Sequence, residues 1–372
     1  MSVLAGASVE TGASPAEPGP RRRRGGALLR VLRPFIWAAA VSVGVTIIVL
    51  LPRTTGTTWP DIIEILEQVT FSEVVLLTVL WGLGLFAYSF VLSGSLPGLR
   101  RRRALTLNLT GSAVANVAPL GGAWGAGLNT LMLRRWGYAG KEIASFMLVS
   151  NIWNVLAKLG VSAAVIGFLA MGGVAVPLST HGAHAVVTSA VVAVVIIMAM
   201  LASNRVMTAA GWLADIVVNV SLRIVRASAH SHLRVQLPAV RLAMLRVVRS
   251  RWPQMSVGMV VYLALQAALL WTCLDILGNR FTGAAVLTAF AVDRLLTAVP
   301  LTPGGSGVVE AGTAAALIAL GGAPAQVAAA VLLYRSFTFL AEIPVGGAWA
   351  IGWFAIQRKV ASGPTAPAGG LG

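Results

Sequence analysis

The sequence predicts an all-α integral membrane protein, with about six full spans and two re-entrant helical hairpins arranged as an inverted repeat. Three observations predict it. The chain of 372 residues is 57% hydrophobic and only 11% charged, with mean hydropathy +0.83, which is the composition of a polytopic membrane protein. Two apolar stretches are broken near their middles by Pro and Gly: 104–137 around VAPLGGAWGAG, and 288–321 around LTPGGSGVVEAG. A shift of 184 residues superposes these two stretches without a gap, as internal repeats do.

Residues 1–33 are rich in Ala, Gly, Pro and Arg, include RRRR at Arg21 to Arg24, and read as a disordered basic cytoplasmic tail. The membrane domain is expected over 34–357. Its first apolar run, 34–51, leads into PRTTG rather than a small-residue cleavage site, so it reads as a retained span. DIIEILEQVT at 60–69 has apolar positions at helical spacing with acids between them, the pattern of a short helix at the interface. Further spans are expected over 71–95, 141–171, 184–203, 254–276 and 325–357. The basic linker 204–252 reads as a pair of amphipathic helices, with Leu242, Leu245 and Val248 segregated from Arg241, Arg249 and Arg251. Residues 358–372 are expected to form a short cytoplasmic tail.

The 184-residue shift matches Pro119 with Pro303, Gly121 with Gly305 and Gly137 with Gly321. It also carries 71–95 onto 255–279 and 141–171 onto 325–355, so repeat one is 71–171 and repeat two is 255–355. Of the 28 basic residues, 23 fall in segments that alternate along the chain to one side of the membrane, whereas the opposite loops carry only Arg53 and Arg280. By the positive-inside rule that side is the cytoplasm, which places both termini there in a plasma-membrane protein and makes the second repeat enter from the side opposite to the first. Inverted repeats with broken helices near the midplane describe a transporter architecture.

The formal charge of +16 fits cytoplasmic loops facing anionic headgroups rather than nucleic acid. One cysteine, Cys273, forms no intrachain disulfide, and His181, His184, His230 and His232 sit in two short pairs without further ligands. No metal site and no cofactor is expected.

Backbone that is not helical cannot face lipid, so the hairpin tips must be packed in protein or line a wet cavity. In each hairpin the Gly run precedes the returning half-helix, which puts that helix's N–H groups and positive dipole end near mid-membrane, a setting that favours anions. Candidate residues at the tips are Pro119, Gly121 and Gly122 in the first hairpin and Pro303, Gly304, Gly305 and Gly307 in the second. The alternative is that Pro and Gly merely permit tight helix crossings.

Ionisable residues inside spans are costly and mark function. Here they are Lys158, Glu310, Arg335 and Glu342, with Asp293 and Arg294 in the second hairpin. The shift maps Asn151 onto Arg335 and Lys158 onto Glu342, and each pair is seven residues apart, hence on one helix face, with Asn154 or Thr338 between. Two polar stripes at equivalent positions predict the walls of one central cavity. A Lys158–Glu342 or Glu310–Arg335 salt bridge holding the bundle together is the structural alternative, and both roles can coexist.

PLTPGGSGVVEAG followed by LLYRSFTFLAEIPVGG resembles the signature P-x-x-PGG-x-G-x-x-E, a spacer, LLYR and a closing Pro-x-x-Gly of the lysylphosphatidylglycerol synthase transmembrane, or flippase-like, family. The resemblance covers roughly 35–357. It implies a polytopic inner-membrane protein that moves lipids or lipid-linked molecules between leaflets. Pro303, Gly304, Gly305, Gly307 and Glu310 match the PGG-x-G-x-x-E element, and Tyr334 and Arg335 match the YR pair. In the first repeat many members carry an acidic–Arg pair and a following Asp where this chain has Ser150, Asn151 and Asn154, so amide replaces charge. The short stretch 358–372 leaves no room for an aminoacyltransferase domain, so synthesis of lysylphosphatidylglycerol is not expected of this chain.

The expected function is therefore movement of an anionic phospholipid or lipid-linked molecule, not catalysis, with Arg335, Lys158 and the half-helix termini replacing headgroup water and Glu310 acting as a gate or proton-sensitive switch. The rivals are a membrane-embedded transferase using Glu310 or Asp293 as base, and a non-transporting scaffold for a cell-envelope enzyme. Candidate partners are the membrane lipid, a further copy of the chain and a separate lipid-modifying enzyme.

Overall fold

A computed structural model of the chain describes residues 49–53, 55–118, 121–171, 233–298 and 307–361, together with Thr46 and most of 188–213. The expected tails, the span at 34–51, the loop at 172–183 and the four histidines lie wholly or in large part outside the described residues, as does part of the span at 184–203. Among the described residues every regular element is a helix. The elements run α1 Trp59–Glu67, α2 Phe71–Ser95, α3 Arg101–Val117, α4 Gly121–Arg135, α5 Gly140–Met171, α6 Leu233–Ile276, α7 Gly283–Ala298, α8 Val308–Ala319, α9 Pro324–Arg335, a π-helical turn Ser336–Leu340, and α10 Glu342–Ala361.

Four helical stretches among the described residues are long and apolar enough to cross a membrane: Phe71–Ser95, Gly140–Phe168, Val240–Ile276 and Pro324–Gln357. By contrast, α3, α4, α7 and α8 have 17, 15, 16 and 12 residues. At ~1.5 Å per residue even the longest falls short of a ~30 Å hydrocarbon core. They pair as the two expected hairpins, α3 with α4 and α7 with α8.

Local chemistry sets the boundaries. At the start of α1, Thr58 donates both its N–H (3.1 Å) and its hydroxyl (2.6 Å) to Asp61 Oδ2, and these bonds hold the Asp61 carboxylate below its usual range. Ile62, on the apolar face of α1, is fully buried where the helix packs against α9. Thr70 and Glu73 close a capping box at the start of α2, with Thr70 N–H to Glu73 Oε2 at 2.7 Å. After α4 and after α8 the chain turns through Gly137 (φ 88°) and Gly321 (φ 95°), which lie 184 residues apart. The bonds that close the two turns are equivalent as well: Tyr138 N–H to Leu133 O and Gly322 N–H to Leu317 O, both 3.1 Å.

The halves interlock by exchange. α3 packs along α10, and α7 packs along α5, so the first half-helix of each half lies on the long helix of the other. Small residues at equivalent positions make both crossings possible. A Cβ on Gly346 would overlap the Leu109 carbonyl, and at the matching position Ser162 donates to Ala291 O at 3.0 Å. α2 and α6 form the central pair, with Gly258 packed against Phe90 and the Ala87 carbonyl.

Two local expectations need correction. The second half of the linker is not a separate helix, because α6 runs unbroken from Leu233 through the span and spans ~66 Å for its 44 residues. The buried face of its basic portion is accordingly Val240, Met244 and Val247, in phase with Met255 and Met259 of the span, whereas Leu242 is 65% exposed. Second, Arg335 and Glu342 are not joined by regular α-helix. Pro344 offers no N–H to the carbonyl four residues before it, and the helix opens into the π turn Ser336–Leu340, with Ala341 N–H bonded to Ser336 O at 2.7 Å. Asn116 Nδ2, from the end of α3, donates to the Phe339 carbonyl at 3.2 Å and so satisfies backbone within the irregular stretch.

Candidate functional site

Deep in the apolar bundle lies a polar cavity of about 290 Å³. Both halves wall it: α2, α3 and α5 on one side, and α6, α7 and the α9–α10 helix on the other. Lys158 and Asn154 reach it from α5, and their equivalents Glu342 and Thr338 reach it from the other long helix. Arg335 and Arg294 complete its charged lining.

Each charge is held by a recognisable device. Glu310 sits in the first turn of α8, where its Oε2 accepts the N–H of Gly307 at 2.5 Å and its Oε1 accepts Arg335 Nε at 2.8 Å. Gly307 has φ 87°, a conformation that glycine takes freely. One buried carboxylate thereby caps the half-helix and fixes the guanidinium at the cavity wall, where it also stacks on Phe339 with the ring centroid 5.2 Å away. Arg294 pairs with its neighbour Asp293 and donates to the Tyr334 hydroxyl at 2.9 Å, and that hydroxyl bonds Gln266 Oε1 at 3.4 Å. Four helices are tied together here, because Thr313 of α8 also reaches Asp293 at 3.5 Å.

Lys158 makes a different contact. Its Nζ donates to the Thr297 carbonyl at 3.1 Å, at the C-terminal end of α7, where backbone carbonyls lack helical partners and the dipole is negative. Neither ion pair among the described residues involves Lys158 or Glu342. Glu342 instead accepts Asn116 Nδ2 at 3.3 Å. Asn108, on the same cavity wall as α3's Ser112, has a buried Nδ2 with no hydrogen-bond partner among the described residues. Among the described residues, the lining thus holds one ammonium and one carboxylate outside ion pairs and an amide donor without a partner, beside two guanidiniums fixed by their own carboxylates.

Of the residues singled out from sequence, Lys158, Asn154, Arg335 and Glu342 meet at the cavity. Of the two salt bridges considered as structural alternatives, Glu310–Arg335 forms and Lys158–Glu342 does not. Glu310 and Tyr334 stand behind the wall as buried partners of Arg335 and Arg294. Asn151 is exposed, with its amide folded back onto the Met147 carbonyl at 2.7 Å, so it does not mirror Arg335. Gly121 is buried in the α3–α4 crossing, where a Cβ would overlap the Ala115 carbonyl, while Gly122 is exposed with open space around it. Pro119, Pro303, Gly304 and Gly305 lie outside the described residues. Sequence reasoning passed over Gln266, Asn108 and Tyr262 as site residues, and it noted Arg294 only as ionisable. The signal for Gln266 was there: it is the one amide in the apolar run LALQAALL.

Directly beside the cavity, α5, α6 and α7 leave an apolar groove of about 600 Å³ lined by Trp153, Ala157, Gly160, Leu263 and Phe290. Adjacent residues of α5 thus face different spaces, Trp153 and Ala157 the groove, Asn154 and Lys158 the cavity.

No individually curated protein matches the sequence. Residues 35–346 match the family described as the lysylphosphatidylglycerol synthase TM region, which extends over both halves and the whole cavity. With its apolar spans, its broken hairpins and that match, the chain belongs to the lysylphosphatidylglycerol synthase TM-region family, as a membrane protein related to lipid metabolism.

Proposed function

We propose that the chain is a flippase-like carrier, not an enzyme, that moves an anionic phospholipid or lipid-linked molecule between the leaflets of the plasma membrane. The supporting observation is the polar cavity itself, enclosed by apolar spans and walled by both halves, with Lys158 and the two arginines on its lining. A phosphate headgroup cannot enter hydrocarbon bare, and these donors would replace its water while the acyl chains lie along the neighbouring apolar groove. The two halves are taken to be inverted in the membrane, both termini cytoplasmic, and to rock about this midplane site. The matching turns at Gly137 and Gly321 and the exchanged packing of α3 and α7 support that symmetry.

Asn154 and Thr338 stand at equivalent positions on opposite walls, which makes them suitable reporters. With cysteine at either position, a small impermeant thiol reagent should react from both sides of reconstituted membranes, and added anionic phospholipid should protect. Reaction from one side only at both positions would count against alternating access, and inertness of both in folded protein would rule out a wet site.

A further inference from the structure

A second cleft, of about 570 Å³, lies where α3 begins and α10 approaches its end, away from the central cavity. Its lining combines Arg102 and Arg103 with Trp136, Trp349, Trp353 and Gln357. We infer that this cleft is a binding site for the phosphodiester headgroup of an anionic phospholipid at the membrane interface, separate from the transported molecule.

The arginines are exposed, and neither ion pair among the described residues involves them. Arg103 is nevertheless ordered by an aromatic face, its guanidinium 5.0 Å from the Trp136 ring centroid, and Arg135, next to Trp136 in the chain, lies 5.8 Å from the Trp353 ring centroid. Trp136 and Trp353 meet edge to face at 6.4 Å, and Trp349 Nε1 donates to Thr106 Oγ1 at 3.0 Å, which fixes the indole against α3. A planar guanidinium held on an aromatic frame, as Arg103 is, with the exposed Arg102 beside it suits a phosphodiester, which accepts two parallel N–H bonds from one fork. The first turn of α3 adds to the positive field, since Arg101, Arg102 and Arg103 stand at the dipole's positive end and the Arg100 side chain caps no N–H.

The cleft also has the shape of an interfacial lipid site rather than of a free-anion site. Val345, Trp349 and Ile356 are exposed at spacings of four and seven on α10, which with Trp353 gives one apolar stripe leading from the cleft along the helix. An acyl chain can follow that stripe while the indoles sit at headgroup level, their usual depth.

The test is native mass spectrometry of the purified chain with added phosphatidylglycerol, carried out in a Lys158→Met background to weaken any central site. Arg102→Ala/Arg103→Ala should weaken retention roughly thirtyfold, about fivefold for each charge lost. Arg102→Lys/Arg103→Lys should retain part of the binding, because charge survives and the fork does not. A photoreactive phosphatidylglycerol should crosslink to the α10 segment around Trp349. Equal retention by the parent and the double-alanine variant, or displacement of the lipid by inorganic phosphate at matched concentration, would overturn the assignment, as would equal retention of phosphatidylcholine.

Discussion

Arg335 Nε donates to Glu310 Oε1 at 2.8 Å while the other oxygen of Glu310 takes the N–H of Gly307, so a single carboxylate links the start of one half-helix to a cation on the adjacent helix. Both residues are nearly inaccessible, at 8% and 2% exposure. Arg335→Gln or Glu310→Gln should each destabilise the protein by about 3–5 kcal/mol, since each strands a buried charge. The double substitution should be much milder. Thermal unfolding in detergent gives the cycle, and additive single effects would show that the pair is not coupled.

The crossing of α3 and α10 rests on a missing side chain. Gly346→Val pushes a side chain into the Leu109 carbonyl and should cost about 1–3 kcal/mol or more. Gly347→Ala, one residue on, meets open space and should be neutral or stabilising by up to about 1 kcal/mol. Equal melting temperatures for the two variants would show that the halves do not pack as described.

Asn116 joins the halves at the π turn, bonding the Phe339 carbonyl and Glu342 together. Asn116→Leu leaves that carbonyl without its donor and should lower stability by about 1–3 kcal/mol. An unchanged melting temperature would mean that the π turn finds another donor.

What was legible in the sequence follows chain-local chemistry. Gly137 and Gly321 were matched as repeat positions, and both hold a positive-φ turn, while Lys158 and Glu342 announced one cavity because charge in an apolar span must be enclosed. What was not legible depends on neighbours. Asn151 occupies the position equivalent to Arg335, yet its amide can bond its own helix and gains nothing from turning inward. The π turn needed both Pro344 and an amide from a helix more than two hundred residues away. Arg294 looked like one more buried charge until Tyr334 and Gln266 were seen to hold it at the wall. Leu242 misled because two faces of one helix differ by a single residue's rotation, and the continuous span of α6 sets the phase.

Orientation can be read with single cysteines. Cys273, the chain's one cysteine, is buried, so Cys273→Ala supplies the background. Gln68→Cys, between α1 and α2, should react with an impermeant reagent in intact cells, and Arg134→Cys, at the end of α4, should react only after lysis. The reverse pattern would place the termini outside.

Lipid movement itself decides the central claim. Proteoliposomes containing a headgroup-labelled anionic phospholipid, with leaflet accessibility followed by an impermeant quencher, compare the parent chain with Lys158→Met and Arg335→Lys. Lys158→Met removes a cavity cation that neither ion pair among the described residues engages, together with the donor to the Thr297 carbonyl, so at equal protein level movement should fall at least tenfold, taking one lost charge-assisted contact as about 1.5–3 kcal/mol. Arg335→Lys keeps the charge facing Glu310 and loses the planar fork, so it should fold and move lipid poorly. Faster exchange between leaflets with the parent chain than with empty vesicles, reduced in both variants at equal protein level, is the predicted result; exchange no faster than in empty vesicles, or equal in all three proteins, would contradict it.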